Sequence, residues 1–285
     1  MTELLFDRAA IAAARDRFLA PIGQRPVIMG IVNVTPDSFS DGGLFISADA
    51  ALAQARKLAA EGADIVDIGA ESTRPGHTPV PADEEWARLE PLLATLVREA
   101  GVPVSIDTYK AITARRALSV GVAVVNDVWG LQRDSDMAHA VAESGAGVVV
   151  MHNREAADAE IDIVADMLRF FERSLDIARR AGVREAHITL DPGIGFGKTR
   201  QQNYDALRAT PRLLALGCPV LIGVSRKSIF KGLPDGRIEA RIVGTLAANL
   251  LTAASGAGIF RVHDVAEHRA AFEVFAALGG GTAKG

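Results

Sequence analysis

The sequence contains almost no cysteine and few aromatic residues. Among its 285 residues there is one cysteine, and aromatic residues make up 5%, although hydrophobic residues make up 49%. The single thiol, Cys218, excludes an intramolecular disulfide and is typical of a reducing compartment, so we expect a cytoplasmic protein. The apolar content is rich in alanine, valine, isoleucine and leucine, which suits repeated α/β units better than a β-sandwich.

The chain also lacks long apolar runs, a strongly basic face and zinc-type spacing. Charged residues interrupt residues 1–20, and no later apolar run reaches membrane-spanning length without a charge. The net charge of -4 argues against non-specific nucleic-acid binding. The six histidines are not spaced with acids or cysteine as zinc ligands are. These absences predict no nucleic-acid partner, no membrane partner and no metal site built from protein ligands alone.

Short apolar runs recur along the chain, and helical segments lie between them. The eight runs are 27–33, 65–69, 102–107, 123–126, 147–151, 187–191, 220–224 and 257–261. Segments such as 48–61, 84–99, 164–181 and 241–254 carry alanine, leucine and charged residues at helical spacing. Eight alternating units predict a parallel sheet closed into a (β/α)8 TIM barrel. A doubly wound open sheet is the alternative, but it usually has fewer strands and a nucleotide fingerprint after the first.

This pattern predicts a single large domain with short terminal additions. We expect a helical extension over residues 1–25, the barrel over residues 26–278 and a disordered tail over residues 279–285. The third unit is short and leaves only residues 111–120 for its helix.

Polar residues cluster where the predicted strands end, which is where the active sites of such barrels lie. The strand-end groups are Asn33, Glu71 to Gly76, Asp107, Asn126 with Asp127, Asp191, Ser225 to Ser228, and Arg261 to Asp264. Any one of them alone could be a helix N-cap. A cluster at one end of seven strands instead predicts a functional site.

The residue types at these strand ends predict the chemistry of a ligand. Three acceptors and one cation suit a flat heterocycle with a row of hydrogen-bond donors and a carbonyl: Asp107, Asn126, Asp191 and Lys227. A second set supplies donors and positive charge for an anion such as phosphate or diphosphate: Arg74, Arg261, His263, Asn33 and Thr73. The alternative for Arg261 and His263 is an ion pair with Asp264 or Glu267. If they serve a ligand, replacing them should change the stability of the empty protein little.

One motif resembles a phosphate-binding P-loop but does not fit it. Residues 193–199 read G-I-G-F-G-K-T, yet the first required glycine falls at Pro192 and the strand ends earlier, at Asp191. The segment also departs from the dinucleotide-binding pattern G-x-G-x-x-G.

Several motifs in a fixed order carry a family resemblance. They are I-V-N-V-T-P-D-S-F-S-D-G-G at 31–43, E-S-T-R-P-G at 71–76, S-I-D-T at 105–108, N-D-V at 126–128, V-M-H at 150–152, L-D-P-G-I-G-F-G-K at 190–198, S-R-K-S at 225–228 and R-V-H-D at 261–264. In sequence and spacing they resemble dihydropteroate synthases, which join a pterin to p-aminobenzoate. The resemblance extends from Met29 to about Val265.

The resemblance implies a role for each site residue. The pterin would be bound by Asp107, Asn126, Asp191 and Lys227, with Met151 and Arg261 flanking its ring. The diphosphate and a magnesium cofactor would be held by Asn33, Thr73, Arg261 and His263, with Asn33 as the metal ligand. The p-aminobenzoate pocket would be formed by Asp37, Phe39, Thr73, Arg74, Pro75, Phe196 and Ser225. The catalytic groups would be Asp107, Asp191, Lys227, Arg261 and His263. The resemblance also implies that the protein is a homodimer and a target of sulfonamides.

The clearest departure from the family follows the fifth strand. The family often continues M-H-x-x-G, whereas this chain continues Met151-His152-Asn153-Arg154-Glu155 into a segment rich in alanine and aspartate. The shape of this loop therefore stays undetermined from the sequence.

Two other functions share most of the predicted contacts, namely a pterin-dependent methyl-transfer domain and a non-catalytic pterin-binding paralogue. A structural or partner-binding barrel would be expected to lose the polar cluster.

Overall fold

The computed structural model of the chain describes residues 6–34, 48–71, 78–230 and 238–280. The strands are β1 Val27–Asn33, β2 Ile65–Gly69, β3 Val104–Asp107, β4 Val124–Asp127, β5 Gly147–Met151, β6 Ile188–Asp191, β7 Leu221–Ile222 and β8 Ile259–Val262. The helices are α1 Arg8–Leu19, α2 Ala48–Ala60, α3 Ala82–Glu99, α4 Ala111–Ser119, α5 Met137–Ser144, α6 Ile163–Ala181, α7 Arg200–Arg208, α8 Thr210–Leu214, α9 Ile238–Ala254 and α10 Val265–Ala277.

The strands form one parallel sheet that closes on itself. Their order is β6-β5-β4-β3-β2-β1-β8-β7. A single bridge between Leu190 and Val220 joins the two ends, next to a 2.9 Å hydrogen bond from the Leu190 N–H to the Pro219 carbonyl. The predicted TIM barrel is therefore confirmed, and the open doubly wound sheet is wrong.

The predicted strand bounds hold for three strands and shift for the others. β1, β2 and β5 begin and end as predicted. β7 has only two residues, and a turn follows it in which the Lys227 N–H donates to the Val224 carbonyl at 3.2 Å. β8 pairs with β7 only at Ile259 and Phe260, so it starts two residues later than the apolar run.

The interior of the barrel changes from apolar at its base to polar above. The base layer packs Phe18 of α1 against inward-facing strand residues, which are Val27, Met29, Ile65, Val124, Val149, Leu221 and Ile259. Asp67 lies two residues beyond Ile65, and Arg261 two residues beyond Ile259, so both face the interior one layer higher. The carboxyl ends of the strands form what we call the upper rim. The polar side chains near the upper rim therefore lie above an apolar base layer.

α1 belongs structurally to the base of the barrel. The Asp7 side chain accepts a 3.0 Å hydrogen bond from the Ala10 N–H and caps the helix. Ile11 and Phe18 are buried against the strands. At the other terminus, the Gly280 N–H still donates to the Phe275 carbonyl at 2.8 Å. Within the described ranges, no helix is long and apolar enough to cross a membrane.

Candidate active site

Strand pairing brings the predicted acceptors together at the upper rim. Asp107 of β3 lies directly opposite Asn126 of β4. Met151 of β5 lies opposite Asp191 of β6. All four are at least 94% buried in the folded chain. Asp107, Met151 and Asp191 are the last residues of their strands, and Asn126 is the last but one of β4. The geometry therefore supports one continuous wall made from four neighbouring strands.

A buried carboxylate that the sequence analysis missed lies beneath this wall. Asp67, in the middle of β2, is fully buried. It accepts hydrogen bonds from Ser105 Oγ, from Asn126 Nδ2 at 3.0 Å and from Arg261 Nε at 2.6 Å. The signal in the sequence was a single acid inside the apolar run I-V-D-I-G. A buried charge of this kind requires partners, and here they are residues of the predicted site.

Asp107 is held by one oxygen and leaves the other without a protein partner. Its Oδ2 accepts from Arg261 Nη2 at 2.8 Å, whereas the buried Oδ1 has no hydrogen-bond partner among the described residues. Burial raises the pKa of Asp107, although the charge of Arg261 opposes that shift. An unpaired buried acceptor is costly unless a ligand donates to it. Asp107 is thus suited to receive a donor from a bound molecule.

Arg261 pairs with carboxylates across the barrel and not with its neighbours in sequence. Its Nε and Nη2 atoms contact Asp67 and Asp107, and its side chain is only 19% exposed. Burial lowers its pKa, but the charges of Asp67 and Asp107 outweigh this and raise it. Asp264, the partner considered in the alternative reading, instead pairs with Arg226, whose Nε lies 3.0 Å from Asp264 Oδ2. An ion pair between Arg261 and Asp264 is therefore wrong.

Asp191 and Lys227 form the opposite part of the wall. Asp191 Oδ1 accepts from the Gly193 N–H at 2.7 Å, which fixes the carboxylate just above a tight turn. Burial raises the pKa of Asp191, and the nearby charge of Lys227 opposes that rise. Burial lowers the pKa of Lys227 to about 8, although Asp191 favours its charged form. Lys227 Nζ donates to the Ile194 carbonyl and lies 4.6 Å from the centre of the Phe196 ring.

Two glycines leave space beside the carboxylates. A Cβ atom added at Gly69 would lie 3.4 Å from Asp107 Cβ. One added at Gly223 would lie 3.4 Å from Asp191 Oδ2. A side chain at either position would therefore contact one of the acids, and glycine lets the backbone approach the carboxylates closely.

The lysine of the P-loop-like segment has a structural role that the sequence analysis did not predict. Lys198 is 8% exposed, and its Nζ donates to the Gly193 carbonyl at 2.8 Å and the Phe196 carbonyl at 3.1 Å. Burial lowers its pKa to about 7, and the charge of Asp191 opposes this. Lys198 therefore holds the loop that carries Phe196 and Ile194, and its donors are committed to backbone carbonyls.

The loop after β5, whose shape the sequence left open, is fixed against α6 and the β6 loop. His152 Nε2 and Arg154 Nη1 contact Asp166 Oδ2 at 3.2 and 2.7 Å. Asn153 Nδ2 donates to the Val128 carbonyl at 2.9 Å. A Cβ at Gly197 would lie 2.4 Å from the Arg154 carbonyl oxygen, so the two loops pack closely. The departure from the family motif therefore leaves the acceptor wall in place.

The predicted anion-binding residues are only partly within the described residues. His263 follows β8, and its Nδ1 lies 2.9 Å from Ser225 Oγ, which also accepts from the His263 N–H at 3.1 Å. Asn33 is the last residue of β1 and is partly buried. The other predicted residues of this region, Asp37, Phe39, Thr73, Arg74 and Pro75, lie outside the described residues. The structure thus brings Ser225, His263 and Arg261 to adjacent strand ends.

Comparisons with known proteins agree with this geometry. A family model described as pterin binding enzyme matches residues 29–263. The dihydropteroate synthase of Clostridium beijerinckii is 43% identical over 248 residues, which cover 87% of this chain and 92% of that protein. The dihydropteroate synthase of Bacillus subtilis is 45% identical over 242 residues, covering 85% of each.

Solved structures are similar over nearly the same length. Dihydropteroate synthase from Clostridium difficile, in the presence of pteroic acid, has a TM-score of 0.87 and 45% identity, covering 91% of this chain and 98% of that one. The enzyme from Xanthomonas albilineans with 4-aminobenzoic acid has a TM-score of 0.85 and 44% identity, covering 90% and 93%. The resemblance seen in the sequence motifs is confirmed: this chain belongs to the dihydropteroate synthase family of pterin-binding enzymes.

Proposed function

We propose that this chain is a transferase that condenses (7,8-dihydropterin-6-yl)methyl diphosphate with p-aminobenzoate in folate biosynthesis. The products are 7,8-dihydropteroate and diphosphate. The observation that carries the proposal is the wall of buried acceptors, Asp107, Asn126 and Asp191, beside Lys227 and Arg261. Related enzymes have been solved with 7,8-dihydropteroate and with 6-hydroxymethylpterin-monophosphate.

The acceptor wall matches the hydrogen-bonding edge of a pterin. The aminopyrimidine part of a pterin presents N–H donors, which suit Asp107 Oδ1 and the carboxylate of Asp191. Its ring carbonyl suits the ammonium of Lys227. Met151 and the guanidinium plane of Arg261 would flank the ring faces, since Met151 ends β5 and Arg261 is the last but one residue of β8. This arrangement would orient the exocyclic methylene group towards the upper rim.

The residues at the ends of β1, β7 and β8 would hold the diphosphate. His263 and Arg261 supply donors and charge, and Ser225 fixes the His263 ring. In the described ranges, no group of three or more histidine, cysteine, aspartate or glutamate residues could hold a metal. The amide oxygen of Asn33 nevertheless fits magnesium, which takes few protein ligands when it is shared with phosphate oxygens and water. When bound, magnesium would neutralise charge on the diphosphate.

The proposed reaction breaks one C–O bond and forms one C–N bond. The bond from the exocyclic methylene to the diphosphate breaks first, and the electron pair leaves with the diphosphate. The dihydropterin delocalises the positive charge, which the buried carboxylates of Asp107 and Asp191 stabilise. The arylamine nitrogen of p-aminobenzoate then attacks the methylene and loses a proton. Phe196 and Ser225 would line the p-aminobenzoate side, together with the predicted residues of the first two loops.

Formation of dihydropteroate tests the proposal against its alternatives. We expect the purified protein to convert the pterin diphosphate and p-aminobenzoate into a product whose mass contains both parts. A non-catalytic paralogue would bind the pterin and form no product. A methyl-transfer domain would need no contact such as that between Ser225 and His263 beside a leaving group. Binding without product formation would contradict the proposed activity and leave the pterin site intact.

Pterin affinity should depend on pH with a maximum. The pKa values of Asp107 and Asp191 are raised by burial, and donors from the pterin would favour their ionised forms. Binding should therefore release protons and tighten as the pH rises through this raised range. Above the Lys227 pKa of about 8, the ammonium loses its charge and affinity should fall again.

Calorimetry across pH values on both sides of 8 would measure this profile. Lys227→Met serves as the matched comparison, because it should abolish the alkaline decrease while keeping the acidic one. A flat profile for the unmodified protein would contradict the role given to these groups.

The homodimer, the cytoplasmic location and the binding of sulfonamides stay predictions. Large apolar side chains are exposed on α9 and α10, among them Val243, Leu251 and Val274 at 66%, 70% and 59%. Such surfaces often mark contacts between subunits, which supports the expected homodimer. The cytoplasmic location rests on the single cysteine. A relative from Yersinia pestis was solved in a sulfonamide complex, which supports the expectation that sulfonamides bind here.

A further inference from the structure

Asp67 is a buried carboxylate that does not belong to the predicted ligand-binding residues. It is fully buried below the upper rim, with Ser105, Asn126 and Arg261 surrounding its carboxylate. Its hydrogen-bond partners Asn126 and Arg261 are themselves residues of the predicted pterin site. Its influence on a ligand must therefore pass through those two side chains.

The chemistry of this contact fixes the orientation of the Asn126 amide. A carboxylate paired with a guanidinium can only accept hydrogen bonds. Asn126 Nδ2 lies 3.0 Å from Asp67 Oδ2, so the amide must point its NH2 group at Asp67. The reversed amide would place two acceptor oxygens at that distance. Asn126 Oδ1 is therefore the atom left to face a ligand.

The same carboxylate also orients Arg261. Its Nε donates to Asp67 Oδ2, and this directs Nη2 to Asp107 Oδ2 at 2.8 Å. Asp107 Oδ1 is then the oxygen that remains available. One buried carboxylate thus determines which atoms of two rim residues can receive hydrogen bonds.

We infer that Asp67 is a positioning residue that sets the hydrogen-bond polarity of the pterin site. It holds Asn126 and Asp107 so that both present acceptors to the donor edge of the pterin. This inference rests on the proposed pterin-binding function. The structural alternative is that Asp67 only neutralises Arg261, in which case it would affect stability and not the choice of ligand.

Asp67→Asn separates these two roles because it keeps the shape of the side chain. The asparagine carries no charge and can turn its NH2 group either to Ser105 Oγ or to Asn126, so a carboxylate no longer forces the Asn126 amide into one orientation. We expect Asp67→Asn to lower the affinity for a pterin more than the affinity for the analogue that lacks the 2-amino group. The ratio of the two affinities should therefore decrease by about 10-fold. Equal losses for both ligands would overturn the inference, because loosening of the site alone treats them alike.

Exchanging the two side chains provides a rescue test. In the double variant Asp67→Asn with Asn126→Asp, the new asparagine can donate to the new aspartate, whose other oxygen faces the ligand. Arg261 Nε, which shares Asp67 Oδ2 with Asn126, loses its acceptor at that position. We expect the double variant to recover most of the ligand preference that either single change loses. If Asp67→Asn does not fold, the recovery is measured from Asn126→Asp, which places two carboxylates against each other. Failure of the exchange to restore the preference would contradict the inference.

Asp64→Asn is the matched control, because Asp64 begins the segment leading into β2 and also pairs with an arginine. It accepts from Arg25 Nη1 at 3.0 Å, at the opposite end of the barrel. We expect this variant to keep the ligand preference of the unmodified protein. If the unmodified protein itself shows no preference for the 2-amino group, the proposed pterin site fails. If that preference is present and Asp67→Asn retains it, only the inference about Asp67 fails.

Discussion

Asp191→Asn should weaken pterin binding by about 2 to 4 kcal/mol, which corresponds to a loss of roughly 30- to 1000-fold in affinity. The Gly193 N–H donates to Asp191 Oδ1 at 2.7 Å and would select the carbonyl oxygen of the new asparagine. The amide NH2 group would then occupy the position of Oδ2 and face the pterin donors. Isothermal titration calorimetry with the pterin diphosphate measures this loss directly.

The control for this change is Asp205→Asn. Asp205 accepts from Arg208 Nη1 at 2.9 Å on the exposed side of α7, and its side chain is 37% exposed. It should leave both affinity and melting temperature nearly unchanged. Unchanged pterin affinity for Asp191→Asn would remove Asp191 from the site.

Arg261→Gln should destabilise the empty protein by about 3 kcal/mol, at the lower end of the range for a broken buried pair. Its guanidinium pairs with both Asp67 and Asp107, and its side chain is 19% exposed. The loss should lower the melting temperature by roughly 6 to 12 °C, as differential scanning calorimetry would measure. From the sequence alone we expected little effect on the empty protein, and the two buried partners change that expectation.

A control variant shows whether this effect comes from the buried pair. Arg115→Gln removes a guanidinium that contacts exposed Glu143, so it should change the melting temperature little. A melting temperature for Arg261→Gln that matches the Arg115→Gln value would show that the carboxylates do not depend on Arg261.

His263→Ala should lower affinity for the pterin diphosphate more than for the pterin without diphosphate, with little change in stability.

The strand ends could be predicted because parallel strands covered on both faces form continuous apolar runs that stop at polar residues. Asn33 and Met151 end β1 and β5 at the predicted positions. The rule that active sites lie at the carboxyl ends of barrel strands then selected the acceptors of the rim. Asp107 and Asn126 needed no further information, because the barrel order makes their strands neighbours.

The pairing beneath the rim could not be predicted from local sequence. Asp264 is three residues from Arg261, but the actual partners Asp67 and Asp107 are 194 and 154 residues away. Asp67 lies inside a strand, and whether it faces the barrel interior depends on register. Lys198 ends a glycine-rich segment that gives no sign of which carbonyls its ammonium will reach. These contacts depend on the closed barrel and not on the motifs.

The most direct test of the proposed transferase activity is the rate of diphosphate release as a function of p-aminobenzoate concentration. The proposed reaction predicts almost no release without p-aminobenzoate and a saturable increase when it is added, with dihydropteroate formed in equal amount. Asp191→Asn should lower the release measured at limiting pterin diphosphate. Release that continues at the same rate without p-aminobenzoate would indicate hydrolysis, and no release despite pterin binding would indicate a binding protein. Either result would contradict the proposed transfer of the pterin to an arylamine.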